Sequence, residues 1–314
     1  MRVRTYDEID PGDAFRLTMT AFGWALTPKY VAHRRRRDPR LLDGFAMYAV
    51  EKGRAVAQVL PLQMPVRLAT GIETVGGFQA VCSLPGVWGK GYVRELMDRA
   101  HDRFEELGIR IATLGTSRNI RGHGIYRRTG YIDLVTFDIG TRTLAPKRRS
   151  PRGVRVRKAT VADLPRIQSL YKAHTRDQLG WTERDPRVLR QEVSWDPKDL
   201  AVYRIVERGR VPIGTAHPYP AMSIMSDETI APKASDFRDA VRAIEAAETR
   251  EFAAVSLISC ALDRNRFEAL GYRFSPMMWI MMARPLHGGP PARDLPRLFG
   301  VPQGRFVLYH ADAF

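Results

Sequence analysis

The chain has 314 residues, 44% of them hydrophobic and 27% charged, the make-up of a folded protein long enough for two ordinary domains. Its 50 Lys and Arg outnumber 34 Asp and Glu, and the net charge of +16 favours anionic partners. No run of about 18 apolar residues occurs and residues 1–6 lack a signal peptide's apolar core, so no membrane association is expected. The charge is mostly scattered arginine without an aromatic-interleaved basic groove, so solubility is its simpler account, and the phosphates of a cofactor, nucleic acid or an anionic surface are the sharper ones. Cys82 and Cys260 sit in apolar runs and read as buried thiols of a reducing, cytoplasmic compartment; no disulfide framework or metal spacing is present.

In chain order, residues 2–6 read as a strand and Asp10-Pro11-Gly12-Asp13 as a helix start, with a capping Asp and Pro at the first position. Phe15, Leu17, Met19, Phe22 and Trp24 are expected to form that helix's apolar face. Residues 30–37 are read as a second short helix. Its four arginines, Arg34, Arg35, Arg36 and Arg37, are a solvated face in the simple reading and a site for an acidic acceptor or partner in the sharper one. Residues 45–50 and 54–68 are strands joined by a Glu51-Lys52-Gly53 turn. Pro61 and Pro65 suggest an edge or a bulge in the second of them. The chain turns at Ala69-Thr70-Gly71 into residues 72–84, where Gly76-Gly77 marks a bulge or a close backbone approach.

That strand runs into Pro85-Gly86-Val87-Trp88-Gly89-Lys90-Gly91 and then an amphipathic helix. Val93, Leu96, Met97, Ala100, Phe104 and Leu107 share one helical face, and Gly108 stands at the C-terminal cap. A glycine turn at a helix start aims backbone N–H groups and the positive end of the helix dipole at one spot, which suits a phosphate. Residues 109–114 follow as a strand, and Asn119 leads into a short helix carrying Tyr126.

This order, ending in Asn119 and Ile125-Tyr126-Arg127-Arg128-Thr129-Gly130-Tyr131, resembles the core pattern of the GNAT superfamily of acyl-CoA-dependent N-acyltransferases. With Gly91-Tyr92-Val93-Arg94-Glu95-Leu96-Met97 it is most similar to the enhanced-intracellular-survival branch, which couples an active GNAT domain to a degenerate one. The resemblance covers about residues 75–135. One departure stands out: the family's turn usually reads Arg/Gln-x-x-Gly, and Trp88 holds that first position, leaving the grip to backbone amides and Lys90.

Residues 141–157 are rich in Pro and Arg, and beyond them the opening repeats. A strand at 154–159, a capping-box start at Thr160-Val161-Ala162-Asp163, a helix at 236–248, a strand at 252–260 and Arg266-Phe267-Glu268-Ala269-Leu270-Gly271-Tyr272 echo the first half. The expected architecture is therefore α+β: two tandem GNAT-like domains, each a mixed, mostly antiparallel sheet flanked by helices. Residues 1–145 are the catalytic domain, 146–153 a linker, and 154–314 a degenerate domain with a docked C-terminal tail. The second copy has no glycine turn between residues 224 and 236, and Phe267 replaces Tyr126, so it is read as structural.

The resemblance implies acetyl-CoA as co-substrate and a primary amine, on a small molecule or a protein, as acceptor. Val81, Cys82 and Ser83 would hold the pantetheine arm by main-chain bonds. The pyrophosphate would lie on Gly89, Lys90, Gly91, Tyr92, Val93 and Arg94, with Ser117 and Asn119 completing the cofactor site. Tyr126 is the candidate general acid, since a phenol with pKa near 10 stays protonated at neutral pH; the plainer reading is a core tyrosine. Asn119 has helix capping as its plainer role, and an isolated His123 is more often surface. The base is not identified: bulk-connected water is the default, Glu73 and Asp312 are alternatives, and the resembled branch, where a terminal carboxylate reaches the active site, adds Phe314, although that branch has a further C-terminal domain not matched here. The other readings are a non-catalytic acyl-CoA sensor and a mycothiol-synthase-like or aminoacyl-tRNA-dependent transferase. Self-association is left open.

Overall fold

The computed structural model describes residues 1–194, 203–219, 224–257 and 260–309. It opens with β1 (Arg2–Thr5), α1 (Pro11–Phe22) and α2 (Pro28–Arg37), and local chemistry sets both helix starts. The Gly12 amide donates to Asp10 at 2.8 Å, and the Tyr30 amide donates to Thr27 at 3.2 Å. Pro28 follows the Thr27 cap, so the second helix starts there and not at Tyr30.

α1 buries a different face from the one expected. Asp13, Ala14, Leu17 and Thr18 face inward, while Phe15, Met19 and Phe22 are exposed. Asp13 sets this rotation: its carboxylate accepts from Arg54 Nη2 at 2.6 Å and from the Ala55 amide at 2.8 Å. The arginine run of α2 is likewise divided. Arg34 is buried, donating to Asp38 at 2.6 Å and to Gln79 at 2.6 Å, whereas Arg35 forms a bidentate pair with Asp7.

The meander is β2 (Met47–Glu51), β3 (Arg54–Leu68) and β4 (Gly71–Ser83), with Lys52 and Gly53 both at positive φ in the tight hairpin. β2 pairs with β3 no further than Val59, after which the outer side of β3 is paired only at Leu62, bridged to Leu41, and at Arg67, paired with Gly180, among the described residues. There the Gln63 amide turns outward to the Arg40 carbonyl at 2.8 Å. Pro61 and Pro65 share that outward phase, so neither removes a bond from the β4 ladder.

Next come α3 (Tyr92–Glu106), β5 (Ile111–Ser117), α4 (Arg121–Arg128) and β6 (Ile132–Thr143). The second half holds β7 (Val154–Lys158), α5 (Leu164–His174), β8 (Leu179–Gly180), α6 (Pro186–Ser194), β9 (Arg204–Arg208) and β10 (Val211–Tyr219). It continues through β11 (Ile224–Ile230), α7 (Ala234–Ala247), β12 (Phe252–Leu257), α8 (Ala261–Glu268), β13 (Arg273–Pro285), α9 (Leu295–Leu298) and β14 (Phe306–Val307).

All strands join one mixed sheet, so the protein is α+β. Its path runs β1-β2-β3-β4-β5-β13-β6-β12-β11-β10-β9-β7, with β8 and β14 to the side. β13, unforeseen in the sequence, lies between β5 and β6 and carries chain from the second half into the first half's sheet. Its Ile280 and Met282 pack into the α3 core and Met281 and Ala283 into the α1 core, the two-sided burial expected of a central strand. In the α3 core Leu96, Met97, Ala100 and Phe104 are fully buried; each large side chain there contributes on the order of 1.5–3 kcal/mol. Leu107, the last residue of the expected stripe, is exposed. The capping box at Thr160 and Asp163 forms as expected.

Candidate active site

β4 and β5 run parallel but pair only through Gly76↔Ala112, Gly77↔Thr113 and Phe78↔Leu114; beyond Phe78 they part. A bulge drives the parting. The β3–β4 register slips between Gln58 and Leu60, and Ala80 takes φ 52°, a left-handed conformation rare for a residue with a Cβ. Gln58 Nε2 holds the bulge by donating to the Ala80 carbonyl at 3.1 Å. The expected Gly76-Gly77 bulge is not there. Gly76 is in register and is needed for close approach, since a Cβ would lie 2.5 Å from the Phe104 ring.

Past the bulge the Leu84 amide donates to Val56 at 2.9 Å, so Leu84 and Cys82 point their main chain at β3. By alternation Val81 and Ser83 present theirs to the fork. Cys82 therefore contributes its main chain to the β3 ladder, and its thiol, 3.9 Å from the Leu17 carbonyl, is pushed up to about 12 by burial. On the β5 side, the Thr116 hydroxyl is buried without a hydrogen-bond partner, and Ser117 Oγ accepts the Asn119 amide at 3.3 Å.

At the fork's open end, Gly89 and Gly91 have φ 83° and 81°. A Cβ on either would meet nothing within 4 Å, so backbone conformation, not crowding, requires glycine. Gly91 caps α3 without a side chain, and the first intrahelical bond runs from the Glu95 amide to the Gly91 carbonyl at 3.0 Å. The Tyr92, Val93 and Arg94 amides thus project uncapped from the positive end of the helix.

The side chains around this turn point elsewhere. Lys90 Nζ meets the Glu51 carboxylate at 2.7 Å and the Tyr92 hydroxyl donates to the same oxygen at 3.0 Å, so both lean toward the β2–β3 hairpin. The Lys90 ammonium in turn holds the Glu51 carboxyl below its ordinary range. Arg94 is exposed, 3.7 Å from Asp98. With these side chains engaged, the turn itself offers the main-chain amides of residues 92–94. Trp88 stands on the rim, 56% exposed, its indole N–H 3.4 Å from the Ser83 carbonyl.

Tyr126 lies on α4, buried edge-to-face against Tyr131 at 6.1 Å, and its hydroxyl has no hydrogen-bond partner among the described residues. Burial raises this phenol well above its ordinary pKa, with the nearby Cys82 adding to the effect. It is fully protonated at neutral pH. Asn119 is exposed and does not cap α4, whose N-cap is Ile120 with no side-chain bond. Glu73 is engaged by Arg110 at 2.7 Å, and Asp312 and Phe314 lie outside the described residues.

Two buried or half-buried clusters escaped the sequence reading. His123 Nε2 is 2.9 Å from Asp133 on β6, whose other oxygen accepts from Arg118 at 3.2 Å. His101 on α3 meets the Tyr131 hydroxyl at 2.8 Å and Arg284 of β13 at 3.2 Å. Nothing in local spacing signals either, because the partners come from separate elements and the segments between them. Clefts of about 300 Å³ near Arg40 and Arg184 and about 580 Å³ beside β1 lie off the fork.

Residues 2–132 match the model of the acetyltransferase (GNAT) domain. Among solved structures, a probable N-acyltransferase of Enterococcus faecalis V583, itself of unknown function, aligns at TM-score 0.65 and 15% identity over 91% of this chain and 72% of its own. Eis1 of Mycobacterium abscessus aligns at 0.59 and 15%, over 91% and 74%, and Saccharomyces cerevisiae N-myristoyltransferase with bound myristoyl-CoA at 0.60 and 9%, over 91% and 78%. At these identities the likeness is one of fold. No curated protein matches the chain in sequence.

Proposed function

From the premise that residues 2–132 are an acetyltransferase (GNAT) domain, we propose that this protein transfers an acetyl group from acetyl-CoA to a primary amine. The supporting observation is the fork between β4 and β5, with uncapped α3 amides at its open end and a phenol on α4 that has no hydrogen-bond partner among the described residues. In this reading the amides of residues 92–94 take the diphosphate, and Val81 and Ser83 hold the pantetheine arm. An amide freed at the bulge faces the thioester carbonyl as its charge develops. The amine attacks directly: a C–N bond forms, the C–S bond breaks, and the leaving sulfur takes the Tyr126 proton. The ammonium proton leaves to water, and solvent reprotonates Tyr126. Residues 1–145 are the catalytic unit of this reading, residues 146–153 its linker and residues 154–314 a structural partner, in a cytoplasmic setting suited to two free thiols.

Thiol release from acetyl-CoA with a panel of polyamines, aminoglycosides and lysine peptides tests the reading, with myristoyl-CoA as a chain-length comparator. Amine-dependent release that falls in Tyr126→Phe is expected. Tight acetyl-CoA binding without release for any amine would replace transfer with a sensor role. The burial-raised phenol, a weaker acid than free tyrosine, is the observation that favours that second reading.

A further inference from the structure

The cradle lacks a cation of its own. Lys90 is tied to Glu51, Arg94 leans toward Asp98, and Arg118 is paired with Asp133. A diphosphate on three main-chain amides would carry charge that the turn's own side chains leave unmatched. One guanidinium reaches the rim from the opposite side of the fork. Arg121, the first residue of α4, sits 5.0 Å from the centroid of the Trp88 ring. Trp88 follows β4 and Arg121 follows β5, so their contact spans the strand ends where the fork opens. Trp88 stands three residues ahead of Gly91, in the turn that leads into the uncapped amides of α3.

Arg121 is exposed and forms no ion pair with a carboxylate among the described residues, unlike Arg94, Arg99 and Arg118. Stacking on the indole costs its charge little hydration on the free side while limiting the freedom of a long side chain. Its open N–H groups can meet two phosphate oxygens in a forked bond. The Trp88 indole N–H donates to the Ser83 carbonyl at 3.4 Å, which orients the platform.

We propose that Arg121, seated on Trp88, is the cation that binds the diphosphate of the acyl-CoA, and that Trp88 positions it. This rests on the acyl-CoA reading of the fork. The test is the affinity of the full chain for CoA, 3′-dephospho-CoA and pantetheine by calorimetry. Arg121→Ala is expected to weaken CoA and 3′-dephospho-CoA alike by about tenfold and to leave pantetheine unchanged. Arg121→Lys should recover part of the loss, and Trp88→Arg placed in the Arg121→Ala background should recover most of it by returning a cation to the turn. Trp88→Ala alone should weaken CoA less than Arg121→Ala. CoA affinity within twofold of wild type in Arg121→Ala would overturn the proposal. A loss confined to CoA would place the contact on the 3′-phosphate and overturn the diphosphate assignment. Wild-type protein that binds none of the three would sink the acyl-CoA reading itself, a different failure.

Discussion

The sheet holds two parallel neighbours that barely pair, and they are furnished in opposite ways. β4 and β5 part around a bulge, and on the β5 side the buried Thr116 hydroxyl has no hydrogen-bond partner among the described residues. β11 and β12 are registered only at Ser226↔Val255, yet side chains fill the region past their ends. There the Tyr309 hydroxyl donates to Asp263 of α8, 3.2 Å from His174 Nε2 and 3.9 Å from Cys260 Sγ, while its ring packs in one cluster with Ile230. All four of these polar or thiol side chains are buried. α7 follows Lys233 in place of a left-handed glycine, and Phe267 packs between Phe237 and Tyr272. The same parting of strands yields a groove or a core according to what the chain supplies to fill it.

The largest effect should come from the phenol that only one fork retains. Tyr126→Phe is expected to lower amine-dependent thiol release by about 100-fold or more and to leave acetyl-CoA affinity within about twofold. Phe267→Tyr should change neither quantity. Loss of binding in Tyr126→Phe would make this tyrosine structural and erase the contrast.

The filled fork should answer through stability. Asp263→Ala removes the acceptor of Tyr309 and the partner that lies 3.0 Å from His174. A loss of roughly 3 kcal/mol is expected in urea unfolding, from buried polar groups left without a mate. Calorimetry should still count one CoA per chain. A second bound CoA would mean that the plug, not the backbone, kept that fork closed.

Smaller again is the cost of the open fork's turn. Gly91→Ala should lose about 1–2 kcal/mol, because L-residues resist left-handed φ. Gly86→Ala, with no positive φ and nothing within 4 Å of its Cβ, should stay within about 0.5 kcal/mol. CoA affinity should fall in the first variant alone.

The remaining effect is on pH dependence. Burial, with Arg284 adding, lowers the His101 pKa to about 3 from an ordinary 6.5. Between those values the unfolded chain takes up a proton that the folded chain refuses, so stability is present above pH 6.5 and is lost as pH falls toward 3. His101→Gln should lose less stability than wild type between pH 7 and pH 5, measured by urea unfolding at each. Asp38 does not blur this window. Burial pushes its carboxyl up, but Arg40 and Arg34 outweigh burial and hold it down to about 2, so its own share is lost only below about pH 4.

What the sequence determined by itself is what neighbouring residues decide. The caps at Asp10 and Thr160, the hairpin at Lys52 and Gly53, the glycine turn before α3 and that helix's buried stripe all follow from local sterics and a period of 3.6 residues. The apolar side of α1 was misjudged because two stripes fit its spacing, and the choice fell to Asp13 meeting Arg54 on another element. Position 80 offered no signal, since an alanine at positive φ is a consequence of register with β3 and not of its own preference. The insertion of β13 between β5 and β6 and the reach of Arg121 to Trp88 were settled by tertiary structure alone. Each joins residues whose separation along the chain says nothing about distance, and only packing of the whole sheet brings them together.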